Sequence, residues 1–91
     1  MATKSSIMAA INSKIGSTQY SIWRIGLTHN LTERQSNWRD IENLSVKYWS
    51  DWAADSLSDA QDIEAHFIRK GMKGGTGGNL SRNYTVYVYV F

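Results

Sequence analysis

Apolar residues fall into two rhythms along this chain. Ile7, Ile11 and Ile15 recur every four residues, which stacks them on one side of a helix. That spacing predicts a helix over 5–15, capped by Ser5 or Ser6. Over 20–28 the rhythm becomes two. Trp23, Ile25 and Leu27 share one face, and Tyr20, Ile22, Arg24 and Gly26 share the other, the pattern of a strand. Asn30 to Glu33 (NLTE) has the form of a capping box and opens a helix to Asn43. Residues 46–52 (VKYWSDW) are aromatic and β-branched and predict a second strand, although Tyr48, Trp49 and Trp52 also suit a helix. Ser56 to Asp59 (SLSD) opens another helix, ending near Lys70 before Gly71. A glycine loop, GMKGGTGGN, follows; its glycines 74, 75, 77 and 78 suit neither helix nor strand. The chain closes on YTVYVYVF. There Val86, Val88 and Val90 oppose Tyr87, Tyr89 and Phe91, so both faces are apolar or aromatic and the strand is expected to be central.

The order α-β-α-β-α-loop-β describes one α+β domain over residues 1–91, with a small, mostly antiparallel three-stranded sheet flanked by three helices. At 91 residues such a domain has little stability to spare, and with no cysteine it has neither disulfides nor thiolate metal sites. Eleven aromatic residues are expected to supply much of the core. No apolar run approaches a membrane span and nothing reads as a signal peptide, so a cytoplasmic protein is expected.

Charge sharpens this picture. Residues 1–32 carry +3 with no acid, residues 33–64 hold all eight acids and carry −5, and residues 65–91 carry +4 with no acid. If the two basic ends meet in space, they make a face suited to phosphate or nucleic acid, with Arg24, Lys70, Lys73 and Arg82 as its cations. Otherwise the pattern is an ordinary mixed-charge surface.

Two charges fall on apolar stripes. In the last helix, with Ala60 at zero, Phe67 lies near about −20° and Ile63 near about −60°, while Glu64 falls near about 40°, between Ala60 and Leu57. In the earlier helix, with Leu31 at zero, Trp38 lies near about −20° and Arg34 near about −60°. A charge so placed needs a partner. Either Arg34 and Glu64 pair, or Arg34 extends its head to solvent, or both stand at the rim of a cleft. There arginine would hold a phosphate and glutamate a divalent metal.

Other chemistry is sparser. His29 precedes the arginine helix, where it is either a structural or solvated residue or a general base reaching such a cleft; neither it nor His66 belongs to a metal-ligand pattern. The loop GMKGGTGG is not a P-loop, because no strand precedes it and no Lys-Ser or Lys-Thr follows its last glycine. GMKG fits the GxxG of a KH module, but no helix follows it. Among four tryptophans, Trp49 shares a strand face with Lys47 and Asp51 and is expected to be the exposed one, available to stack on a base.

The run RIGLTHNLTER resembles the YIG strand, turn and arginine helix of the GIY-YIG nuclease superfamily, and VKYWSDWAADSLSDAQDIEAHFI is similar to its later strand and glutamate helix. The resemblance covers residues 20–80. It implies that Gly26 is the family glycine, Arg34 the catalytic arginine, Glu64 the ligand of Mg²⁺ or Mn²⁺, and Asn79 the late asparagine. It also implies an endonuclease-like activity on nucleic acid. Arg24 stands where the family has the YIG tyrosine, Trp38 where a histidine is frequent, and no GIY strand precedes residue 20. A C-terminal strand lying beside 20–28 would place Tyr87 or Tyr89 near Arg24, Gly26 and Arg34, a circular permutation of that core. The alternatives are a non-catalytic nucleic-acid-binding domain and a small domain whose aromatic surface docks a protein partner.

Overall fold

The computed structural model describes residues 1–74 and 80–91. Helix α1 spans Lys4–Ile15, strand β1 Arg24–Thr28 and helix α2 Leu31–Ser36. A π-helical turn, Asn37–Ile41, continues α2, and strand β2 spans Ser50–Ala53. Helix α3 (Leu57–Lys70), strand β3 (Lys73–Gly74) and strand β4 (Tyr87–Val90) complete the order.

The strands lie side by side as β2-β4-β1-β3, with β4 antiparallel to both neighbours and β3 parallel to β1. The domain is α+β with three helices. The predicted three-stranded antiparallel sheet is, among the described residues, a four-stranded mixed one. The extra strand went unforeseen because it includes Gly74, whose backbone joins the ladder although glycine is a poor strand former. The alternating C-terminal segment is central, as its two apolar faces require.

Register sorts the side chains onto two faces. Ile25 pairs with Val90 and Leu27 with Val88, and these residues pack with Val86 against both long helices. From α1 come Ile7, Ile11 and Ile15, and from α3 come Ala60, Ile63 and Phe67, all buried in one cluster. Each of these isoleucines and the phenylalanine contributes about 1.5–3 kcal/mol by leaving water, and Ala60 less. The opposite face carries Gly26, Thr28, Tyr87, Tyr89 and Asp51.

Local signals hold where a cap fixes them and drift where it does not. Asn30 Oδ1 accepts from the Glu33 backbone N–H, and Ser56 Oγ accepts from that of Asp59, so α2 and α3 start where expected. Helix α1 is capped by Thr3 rather than Ser5 or Ser6. Ala2 bridges to the second strand through its N–H and the Ala53 carbonyl, which keeps the chain extended through Thr3. Gly71, at φ 121°, ends α3 in a conformation L side chains rarely adopt. The expected helix to Asn43 holds as α2 and then widens into the π turn. That shifts the phase of the stripe, so Trp38 stays buried while Ile41 is left 71% exposed. The strand expected over 46–52 occupies 50–53, and the strand expected over 20–28 starts at Arg24 after a 3₁₀ turn, Tyr20–Ile22. The central part of the glycine loop lies outside the described residues.

Candidate functional site

The site is built from the face opposite the valines. Tyr89 stands in register with Gly26 on one side and Asp51 on the other. Its ring crosses directly over Gly26, so closely that a methyl on Gly26 would overlap the hydroxyl and ring carbons. Glycine is required here by close approach rather than by backbone angle.

Two tryptophans close over this ring. Trp38, from the π turn, donates its indole N–H to the Tyr89 hydroxyl at 2.9 Å. Trp49 stacks on Tyr89 with centroids 4.5 Å apart and planes 7° apart, and its own N–H is held by Asp51 Oδ2 at 2.9 Å. Trp49 is therefore half-buried, and the expectation that it would be the exposed tryptophan is overturned by this stack. The ring exposed in that segment is Tyr48. Phe91 extends the layer, 5.4 Å from Trp38 and 5.2 Å from Trp49.

Charged groups also act on this hydroxyl. Burial pushes the Tyr89 pKa up; the Trp38 hydrogen bond and the Arg34 charge pull it back, Glu64 adds to the rise and Arg24 opposes it. Arg24 on β1, Arg34 on α2 and Glu64 on α3 thus lie within electrostatic range of that hydroxyl. Arg24 also lies over the Trp38 ring at 5.3 Å. Arg34, half-buried, lines two adjoining clefts. One, of about 180 Å³, is shared with His29, Asn30, Glu33, Asn37 and Leu80; the other, of about 150 Å³, with Asn37, Trp38, Ile41 and Glu42, and Glu64 lines neither. Glu64 is half-buried on α3, and burial raises its pKa above the usual carboxylate range. Strand β3 pairs only with Arg24 and Ile25, so among the described residues no strand covers the β1 edge from Gly26 to Thr28.

The other expected residues divide. Tyr87 is half-buried on the Tyr89 face, opposite Thr28 and Ala53. The Tyr89 hydroxyl is enclosed, with the residue 1% exposed, so it positions neighbouring groups rather than touching a ligand. His29 is also committed. Its Nδ1 lies 2.9 Å from the Thr85 carbonyl and its Nε2 accepts from the Ser81 N–H at 2.9 Å. With Nδ1 donating, no lone pair remains for a general base, and His29 instead ties the end of β1 to the segment before β4. His29→Phe should cost about 1–3 kcal/mol, because it strands a backbone N–H and a carbonyl. Thermal unfolding by circular dichroism checks this, and an unchanged midpoint would refute the clamp.

Arg24 and Lys73 are register partners, so the two basic segments meet at that end of β1. Lys70 is exposed at the last turn of α3, three residues before Lys73. Arg82 stands apart, lining a cavity with Asp55 and Ser56. Asn79 lies outside the described residues. Sequence reasoning gave Trp38 and Asn37 no part in the site. The four-residue step from Arg34 to Trp38, which places both on one helix side, was the available signal for Trp38.

Among the described residues no three His, Asp or Glu side chains gather as a metal-ligand cluster. Glu64 supplies one hard carboxylate. A single carboxylate fits Mg²⁺ or Mn²⁺ where water and substrate phosphate complete the shell. No family model, curated protein or solved structure matches this chain. No helix among the described residues is long and apolar enough to cross a membrane.

Proposed function

We propose that this chain is a GIY-YIG-like, divalent-metal-dependent endonuclease acting on nucleic-acid phosphodiesters. The observation that carries the reading is the placement of Arg34 in two adjoining clefts beside the Trp38–Tyr89 hydrogen bond, with Arg24 over the Trp38 ring and Glu64 half-buried on α3. The placement of β4 against β1 also supports it, since that pairing is the one a permuted core requires.

In this reading Arg34 binds and orients the scissile phosphate, and its fixed charge offsets the negative charge that grows on the phosphoryl oxygens. A divalent ion held by Glu64 would supply Lewis acidity and lower the pKa of a bound water. Trp38 and Tyr89 position the arginine end of the cleft, and Gly26 permits that packing. Arg24, Lys73 and Lys70 hold flanking phosphates electrostatically.

A second reading, binding without cleavage, rests on a specific observation. The hydroxyl of Tyr89 is buried and both nitrogens of His29 are engaged, so neither is available to take a proton from water. Plasmid nicking in Mn²⁺ separates the two. Wild type should nick and Glu64→Ala should not; equal traces would remove the nuclease and leave binding.

A further inference from the structure

A second feature lies two residues along β4 from Tyr89. The 3₁₀ turn leaves Ile22 66% exposed, and the turn before β2 leaves Tyr48 66% exposed. With Phe91 between them, these side chains wall two connected grooves of about 250 Å³ each. Trp23 lines one, while Arg24 and Leu44 line the other.

Its surroundings say what docks. No lining side chain is acidic, and cations sit at the rings: Lys47 Nζ is 5.7 Å from the Tyr48 centroid and Lys14 Nζ 5.4 Å from that of Trp23. Arg24 lines the groove wall and Lys73 is its register neighbour. Flat aromatic walls with cations at the rim complement a flat base carried on an anionic backbone. The Phe91 ring lies 5.4 Å from that of Trp38, which lines one of the Arg34 clefts, so the groove adjoins the Arg34 site.

We propose that the Ile22–Tyr48–Phe91 groove is a nucleobase-stacking subsite, holding an unpaired base next to the phosphate bound by Arg34. It rests on the nucleic-acid reading above and adds to it the substrate class: strands with an unstacked base, single-stranded or locally opened. Because stacking does not read base edges, the subsite is tolerant of sequence.

The test is fluorescence anisotropy at low salt with a labelled single-stranded oligonucleotide of mixed sequence, and with one of equal length carrying abasic residues. Wild type should bind the abasic strand on the order of tenfold more weakly. Tyr48→Ala, at an exposed position that leaves the core intact, should bind both strands at the weaker level, and Tyr48→Phe should restore the difference. Equal affinity of wild type for the two strands overturns the subsite while leaving phosphate binding in place. Failure to bind either strand overturns both readings. A wild-type dimer in sedimentation that Tyr48→Ala dissociates, without discrimination between strands, assigns the groove to a second copy of this chain and also overturns the proposal.

Discussion

Gly26→Ala should be among the most damaging single-atom additions to this protein. A methyl at Gly26 would occupy the position of the Tyr89 hydroxyl and ring. The ring cannot retreat, because Trp49 stacks on its face and Trp38 holds its hydroxyl. Overpacking of that kind costs about 3 kcal/mol or more. Against a total stability of about 5–15 kcal/mol, the midpoint should fall by on the order of 10–20 °C. Thermal unfolding by circular dichroism measures it, and a variant melting within a few degrees of wild type would sink the close-approach argument. A second variant isolates the cause. In a Tyr89→Val background the same alanine should be neutral or stabilising by up to about 1 kcal/mol, since interior strand glycine is the weaker former.

Glu64→Gln should make the protein more stable and less active at once. Burial raises the Glu64 pKa in the folded state. Between the ordinary carboxylate value and the raised one, the folded protein keeps a proton that the unfolded chain has lost. Stability therefore declines as pH rises through that window, and below it the penalty disappears. Glutamine removes the penalty at neutral pH. Because Glu64 is only half-buried, the gain is under about 1 kcal/mol, a rise of a few degrees in the midpoint. The two proteins should converge in stability below the ordinary carboxylate range. The same substitution removes the carboxylate that would hold the metal, so nicking should fall by on the order of 100-fold or more. Opposite movement of stability and activity is the mark of a residue kept for function rather than for folding. Loss of both stability and nicking would instead assign Glu64 a structural role.

Much of the fold was legible because local chemistry and tertiary packing agree. The caps Asn30 and Ser56, the isoleucine spacing of α1 and the valine–tyrosine alternation of β4 each depend on residues within a turn or two of one another. The charges of Arg34 and Glu64 were visible as exceptions to apolar stripes for the same reason. What stayed hidden depends on partners distant in sequence. The two-residue β3 exists only because β1 offers it an edge, and no local preference marks Lys73 and Gly74 as a strand. Trp49 looked like a surface residue on a strand, yet it folds back to cover a ring forty residues later. His29 left a structural role and a general base both open in the sequence, and two backbone groups more than fifty residues away, which consume its nitrogens, decide for the structural one.

By itself, then, the amino-acid order determined the three helices and the strands β1, β2 and β4, the apolar faces that must be buried and the two charges that resist burial, because helix and strand periodicity are properties of neighbouring residues. Only the tertiary structure decided that β4 lies between β1 and β2, that Tyr89 rests on Gly26, and that Arg24, Arg34 and Glu64 lie within electrostatic range of one hydroxyl. The sheet order and the Tyr89–Gly26 contact follow from strand pairing between segments distant in sequence, where register is set by the whole packed sheet and a shift of one residue would turn both tyrosines of β4 to the other face.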